Sequence, residues 1–324
     1  MERSVGLAVA VGVGLLWGLE QGRTAFAQQR RPASVLVPFE YGGKWGFKDP
    51  AGKAVVEPKY DGAGGFACGL APVNVGAKRQ WQDFKQGGKW GYIDARGNVV
   101  VPIRFECAHA FSEGLGQVSD QRGTRFLDPR GNVVIDLGKS DAGVFHEGRA
   151  PIWVDPPGQG KSRQTKFIDQ TGRTVFTVDG YADTFQEGLA VLEVRKDGGG
   201  EKVYGYIDHG GKIVIALQFA QASDFQDGLA AVQALDGGDP AAKGSWGYID
   251  ASGKYAIPPQ FNEARALRNG VALVHAGGAR RIFPDAPAEW EGGRWRLLDR
   301  TGKVLKESEH WLDYDDAPVA GTKQ

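Results

Sequence analysis

The chain has 324 residues, with 39 Lys plus Arg against 39 Asp plus Glu, and 49 Gly beside 16 Pro. A formal net charge of zero removes the basic footprint of a nucleic-acid or anionic-membrane binder. The length admits two ordinary domains or one large β array, and the glycine content describes a globular chain rich in turns.

Residues 1–27 read as a secretory signal peptide. Arg3 supplies the positive start, Val5 to Leu19 the apolar stretch, and Ala25-Phe26-Ala27 the small residues before cleavage at Gln28. The apolar stretch is shorter than the roughly 20 residues a membrane span needs. The mature chain is therefore expected to be exported, periplasmic or extracellular, with no stable membrane insertion. Residues 28–34 form a short linker, and 35–321 one repeat domain.

From there the sequence repeats itself, and the anchor is Asp-x-x-Gly. It occurs at Asp49/Gly52, Asp94/Gly97, Asp128/Gly131, Asp169/Gly172, Asp208/Gly211, Asp250/Gly253 and Asp299/Gly302. Aromatic or large apolar residues stand two before each Asp (Phe47, Tyr92, Phe126, Phe167, Tyr206, Tyr248, Leu297), and Trp or Tyr four before it in five copies (Trp45, Trp90, Tyr204, Trp246, Trp295). Period-two placement of this kind predicts a strand with one buried face. Asp at the first and Gly at the fourth position suit a type I turn, with the carboxylate bonding the turn backbone. A β-branched run follows, such as Val99-Val100-Val101 or Ile213-Val214-Ile215, predicted to stop at Pro58, Pro102 or Pro258 because proline offers no N–H to a ladder. Each copy thus begins as a β-hairpin.

Phe66, Phe111, Phe145, Phe185, Phe225 and Leu267 lie 17 residues after the Asp, or 16 in the fourth copy, each three before a Gly that opens a third short strand. The constant interval marks a rigid unit. Each copy reads as a small meander that cannot bury its aromatic face alone, so neighbours must stack.

Trp-Gly-Tyr-Ile-Asp-x-x-Gly followed by a Val-rich strand and Phe-x-x-Gly-Leu-Ala resembles the bacterial WG-repeat family over nearly all of the mature chain. The match is strongest at Trp45-Gly46, Trp90-Gly91 and Trp246-Gly247, with Tyr204-Gly205 a variant. Thr124-Arg125, Thr165-Lys166 and Trp295-Arg296 depart from it. The resemblance implies an exported all-β protein with a binding or scaffolding role and brings no catalytic residues. Seven tandem repeats of about 40 residues fit a seven-bladed β-propeller, with an open β-solenoid as the alternative. The leading segment from Ala33 resembles a third strand that would complete the seventh blade, and the segment from Ala317 resembles it too.

Turn geometry accounts for the aspartate column, and His109, His146, His209, His275 and His310 fall at five different repeat positions, so neither metal nor cofactor is expected. The acidic run from Asp313 reads as a solvated end. Cys68 and Cys107 can form one disulfide, closing a loop of about 40 residues, or can be two small buried side chains. The candidate binding residues lie on two insertions before a hairpin: Lys78, Arg79, Trp81 and Phe84 on the first, Arg280, Arg281, Phe283 and Trp290 on the other. Aromatics beside cations are enriched at interface hot spots, pointing to a protein or cell-envelope glycan partner. The rival readings are an enzyme with its site in a propeller channel, and a purely structural envelope component.

Overall fold

The computed structural model describes residues 36–81, 84–155, 163–195, 200–235, 245–283 and 286–317, the side chains of 79–86 and 279–290 excepted. The expected signal peptide (1–27) and linker (28–34), and residues 35 and 318–321 of the expected repeat domain, lie outside the described residues.

The described chain is almost wholly antiparallel sheet. The first sheet holds β1 (Val37–Tyr41), β2 (Lys44–Lys48) and β3 (Ala54–Tyr60). The second holds β4 (Gly62–Ala63), β5 (Leu70–Trp81), β6 (Phe84–Asp94) and β7 (Val99–Phe105). The third is β8 (Cys107–Ala108), β9 (Gly116–Asp120), β10 (Gly123–Leu127) and β11 (Val133–Asp136). The fourth is β12 (Asp141–Ala142), β13 (Ala150–Val154), β14 (Gln164–Ile168) and β15 (Thr174–Asp179). Next come β16 (Tyr181–Ala182), β17 (Ala190–Arg195), β18 (Lys202–Ile207) and β19 (Ile213–Ala222). The far end of β19 pairs onward with β20 (Ala230–Ala234), which is followed by β21 (Trp246–Ile249) and β22 (Tyr255–Phe261). The last sheet orders β23 (Glu263–Ala264), β24 (Val271–Ala276), β27 (Arg294–Asp299) and β28 (Val304–Ser308), with β25 (Ala279–Phe283) and β26 (Ala286–Glu291) as a separate ribbon. From the second sheet on, these are of the propeller-blade type, a short leading strand followed by a three-stranded meander, and the first sheet is the meander alone.

The meander is not one sequence copy, which corrects the expectation. The third strand of one copy pairs with the hairpin of the next, as β5 does with β6. The reason lies in the aromatic pairs. Phe47 meets Phe66 edge-on at 4.9 Å, Tyr92 meets Phe111 at 5.0 Å, Phe126 meets Phe145 at 4.9 Å and Tyr206 meets Phe225 at 4.9 Å, each between one meander and the next. The nearly constant interval from Asp to the apolar residue is therefore the blade-to-blade joint, while length varies inside a blade.

The Asp turns form as expected and do more. In the second sheet the Gly97 amide donates to the Asp94 carbonyl at 2.9 Å, and the Asp94 carboxylate accepts from the amides of Arg96 and Asn98, both at 2.9 Å. The turn glycine has φ +84° at Gly97, and a Cβ there would press on Val56 of the preceding sheet. The same contact to the preceding blade recurs at Gly131, Gly172, Gly211, Gly253 and Gly302, but a Cβ on Gly52 would meet nothing within 4 Å. Consistently, β1 pairs with β2 in the first sheet, so the leading strand does not complete the last one.

The glycine of Trp-Gly has a different cause. Tyr92 faces Val101 and Trp90 faces Phe105, so one residue of β6 opposes three of β7, a bulge of two extra residues containing Pro102. The same bulge lies over Gly46, Gly205 and Gly247. A Cβ on Gly91 would stand 2.5 Å from the Val101 carbonyl oxygen and 2.7 Å from Ile103 Cα. Where the copy has Arg125, Lys166 or Arg296 instead, the register passes that point unbroken. The prolines consequently do not end their strands. They sit in the bulge, where no ladder N–H is needed, and the strand resumes to Tyr60, Phe105 and Phe261.

Candidate functional site

Both insertions are β-ribbons rather than loops. In the second sheet the β5–β6 pairing runs on past Val75 and Lys89 through Ala77 opposite Gly87, Lys78 opposite Gln86 and Arg79 opposite Lys85, to Trp81 opposite Phe84. In the last sheet β25 and β26 place Arg280 opposite Trp290 and Phe283 opposite Ala286. Each ribbon leaves its blade through left-handed glycines: Gly76, Gly87 and Gly88 in one, Gly277, Gly278, Gly292 and Gly293 in the other, at φ between +71° and +87°. In the first sheet the same place is occupied by the tight turn of Gly42 and Gly43, at φ +59° and +74°, the type I′ geometry of a two-residue hairpin. The ribbons are grafted where a minimal turn would close the blade. Buried Asn74 pins the first by donating to the Gly87 carbonyl at 3.2 Å, and the Gly76 amide donates to Asp61 at 2.8 Å.

Of the candidate residues, Lys78 is exposed at the foot of the first ribbon. Arg79, Trp81, Phe84, Arg280, Arg281, Phe283 and Trp290 are placed by backbone pairing, and their side chains lie outside the described residues. Cys68 and Cys107 are free thiols rather than a bridge. Cys68 sits exposed at a left-handed turn position, φ +51°, and Cys107 lies in a leading strand of the next sheet beside His109, sulfur to Nε2 3.5 Å.

Sequence reasoning missed three features. The first is a cleft of about 740 Å³ at the base of the second ribbon, lined by His275, Gly292, Gly293, Arg294, Trp295, Arg296, Glu309 and His310. Arg294 bridges Glu307 at 2.9 Å and Glu309 at 3.2 Å, and Arg296 pairs with Glu307. Trp295 meets His275 at 5.0 Å and Trp311 at 4.4 Å, both edge-on. Burial pushes the His275 imidazole below its ordinary value. The segment after β28 is not merely a solvated end. Leu312 is buried, Tyr314 donates to the Ala266 carbonyl at 2.6 Å, and Asp313 caps the one-turn helix Tyr314–Asp316. The signal available was Trp295-Arg296 in place of Trp-Gly.

The second feature is a chain of carboxylate clasps. Glu113, Glu147, Glu187 and Asp227, all at φ between +50° and +54°, accept from the Gly148, Gly188, Gly228 and Gly270 amides of the following blade at 2.7 to 2.9 Å. Glu147 also pairs with His209 at 3.2 Å, whose ring stacks on Phe185 at 4.2 Å. The third is a set of titratable groups following the leading strands of consecutive sheets. Burial first, then repulsion from Asp183, push the Asp224 carboxyl up to about 6, and His146 pulls the other way. The Nδ1 atom of His146 is buried without a hydrogen-bond partner. Among the described residues no group of three or more His, Cys, Asp or Glu is arranged to hold a metal, and no helix is long and apolar enough to cross a membrane.

Among solved structures, the fold is similar to a crystal structure of a eukaryotic initiation factor, with TM-score 0.54 and 11% identity over 86% of this chain and 75% of that one. BamB from Moraxella catarrhalis follows with TM-score 0.43 and 11% identity over 85% of this chain and 87% of that one. Identities this low speak to fold alone. No curated protein matches the sequence. Residues 45–78, 90–121, 204–237 and 246–278 match the WG containing repeat, and these are the four copies whose glycine underlies a bulged strand. The chain therefore carries four WG containing repeats, set in an all-β array of propeller-type sheets.

Proposed function

We propose that the protein is a non-enzymatic binding module of the cell envelope, exported by its leading segment, which engages a protein or envelope-glycan partner through the two ribbons. The observation that carries this reading is that both ribbons replace a two-residue turn at one topological position and carry the aromatic-plus-cation residues. A ribbon costs the fold backbone order that a tight turn would not, so its retention calls for a role outside the core. Loops and ribbons on a rigid scaffold are where binding residues concentrate. The test is Trp81→Ala with Trp290→Ala in one chain, followed by retention on native envelope fractions. Loss of retention with unchanged thermal unfolding supports the reading, and unchanged retention removes it. Recovery of mature chain beginning at Gln28 from the exported fraction tests the export step.

One observation favours an enzyme instead: the raised Asp224 carboxyl beside Asp183 and His146 has the character of an acid–base group. Hydrolytic turnover that Asp224→Asn abolishes would replace the binding reading with that one.

A further inference from the structure

The cleft of the last sheet lies outside both ribbons' candidate residues, and we infer that it is a binding site for a neutral oligosaccharide. The inference stands on the chemistry of the lining and does not rest on the ribbon reading.

Its volume of about 740 Å³ falls in the range of small-ligand sites, roughly 300–1,000 Å³. The floor is aromatic. Trp295 is 8% exposed and makes edge-on ring contacts with His275 and Trp311, so it braces the floor and offers no open face itself. The half-exposed indole of Trp311, set against it, suits the apolar C–H face of a pyranose ring, which meets the negative face of a π system. Trp311 itself is 53% exposed, and the Arg265 guanidinium lies 5.6 Å from its ring, so the aromatic surface continues beyond the cleft. That continuation provides length for more than one sugar unit.

The rim decides the charge of the ligand. Two guanidinium groups, Arg294 and Arg296, face two carboxylates, Glu307 and Glu309, and each is already answered by an ion pair. An ionic ligand would have to break one of these pairs to gain its own. What the pairs leave over is a set of N–H donors and carboxylate lone pairs held in fixed positions. A hydroxyl both donates and accepts, so a polyhydroxylated neutral ligand uses that mixed rim as it stands. Gly292 and Gly293 complete the wall without side chains.

The experiment is calorimetric titration of the full mature chain with maltotriose, cellotriose and tri-N-acetylchitotriose, and with an oligogalacturonate as the anionic control. Saturable binding of at least one neutral probe is expected, with no tighter binding of the anionic one. Arg294→Met with Glu309→Ala should weaken it by about tenfold, two hydrogen-bonding groups being removed, and Trp311→Ala, at an exposed indole, should abolish it. Thermal unfolding of each variant verifies that the fold is kept. No saturable heat with any neutral probe, tighter binding of the oligogalacturonate, or equal affinity in the rim variant would each overturn the inference. Envelope retention by the ribbons is read separately, so failure of either reading leaves the other measurable.

Discussion

The substitution Gly91→Ala isolates the reason for the glycine in Trp-Gly. Its φ is not left-handed, so conformational freedom is not at stake, only space. The added methyl carbon would lie 2.5 Å from the Val101 oxygen, 2.7 Å from Ile103 Cα and 2.8 Å from Ile103 N, whereas carbon contacts settle at about 3.5–4.0 Å. The bulged part of β7 must therefore retreat by about 1 Å, and the obstacle is backbone, which cannot rotate away as a side chain can. Overpacking of this kind costs about 1–3 kcal/mol, and the entropic gain of replacing glycine by alanine offsets about 0.4–1 kcal/mol of it. A net loss of about 1.5 kcal/mol should lower the melting temperature by about 2–3 °C for a domain of this size. Thermal unfolding followed by circular dichroism reads this directly. The matched control is Lys166→Gly, at the same repeat position in a blade with unbroken register, where only the usual strand-glycine penalty of about 0.5–1 kcal/mol applies. Should Gly91→Ala melt within about 1 °C of the parent chain, the bulge is not what excludes a side chain there.

Other consequences follow from the turns, clasps and buried acid. The folded-state carboxyl of Asp224 is raised from 3.8 to about 6, so the stability it lends is complete below the lower value and lost as pH rises through the upper one. Because the group is partly solvated, Asp224→Asn should stabilise by only about 1–2 kcal/mol at pH 7.5 and by little at pH 4, and equal effects at the two pH values in urea denaturation would contradict this. Hydrogen bonds from the side chains of Asn132, Thr171, Ser252 and Thr301 lead in holding the Asp128, Asp169, Asp250 and Asp299 carboxyls below the ordinary range. Their stabilisation is present at neutral pH and lost as pH falls through the depressed values, and replacing all four by Asn should flatten the acid limb of the stability profile. Cys68 and Glu147 share a strained left-handed backbone, but only Glu147 clasps the next sheet. Cys68→Gly should therefore be neutral or stabilising, and Glu147→Gly should be the less stable of the two by about 1–2 kcal/mol in chemical denaturation.

Much of this was written in the chain as period and spacing. Alternating aromatics before Asp and the Asp-to-Gly turn specify a hairpin through local physics alone, because strand sidedness and turn conformation depend on a few adjacent residues. The seven anchors and the hot-spot residue types of both insertions were legible for the same reason. Which partner each strand takes was not. The third strand joins the next copy's hairpin because Phe47 against Phe66 and its equivalents lock neighbouring sheets together, and that contact joins residues far apart along the chain. The two-residue bulge over Gly91 was likewise hidden, since a bulge is a relation between two strands, and the prolines looked like strand ends until the pairing was known. Insertions became ribbons, and the acidic end a docked cap, through contacts no local pattern records. The cleft shows the division most plainly: His275, Trp295, Glu309 and His310 come from β24, β27 and the segment beyond β28, and only the folding of that sheet makes neighbours of them.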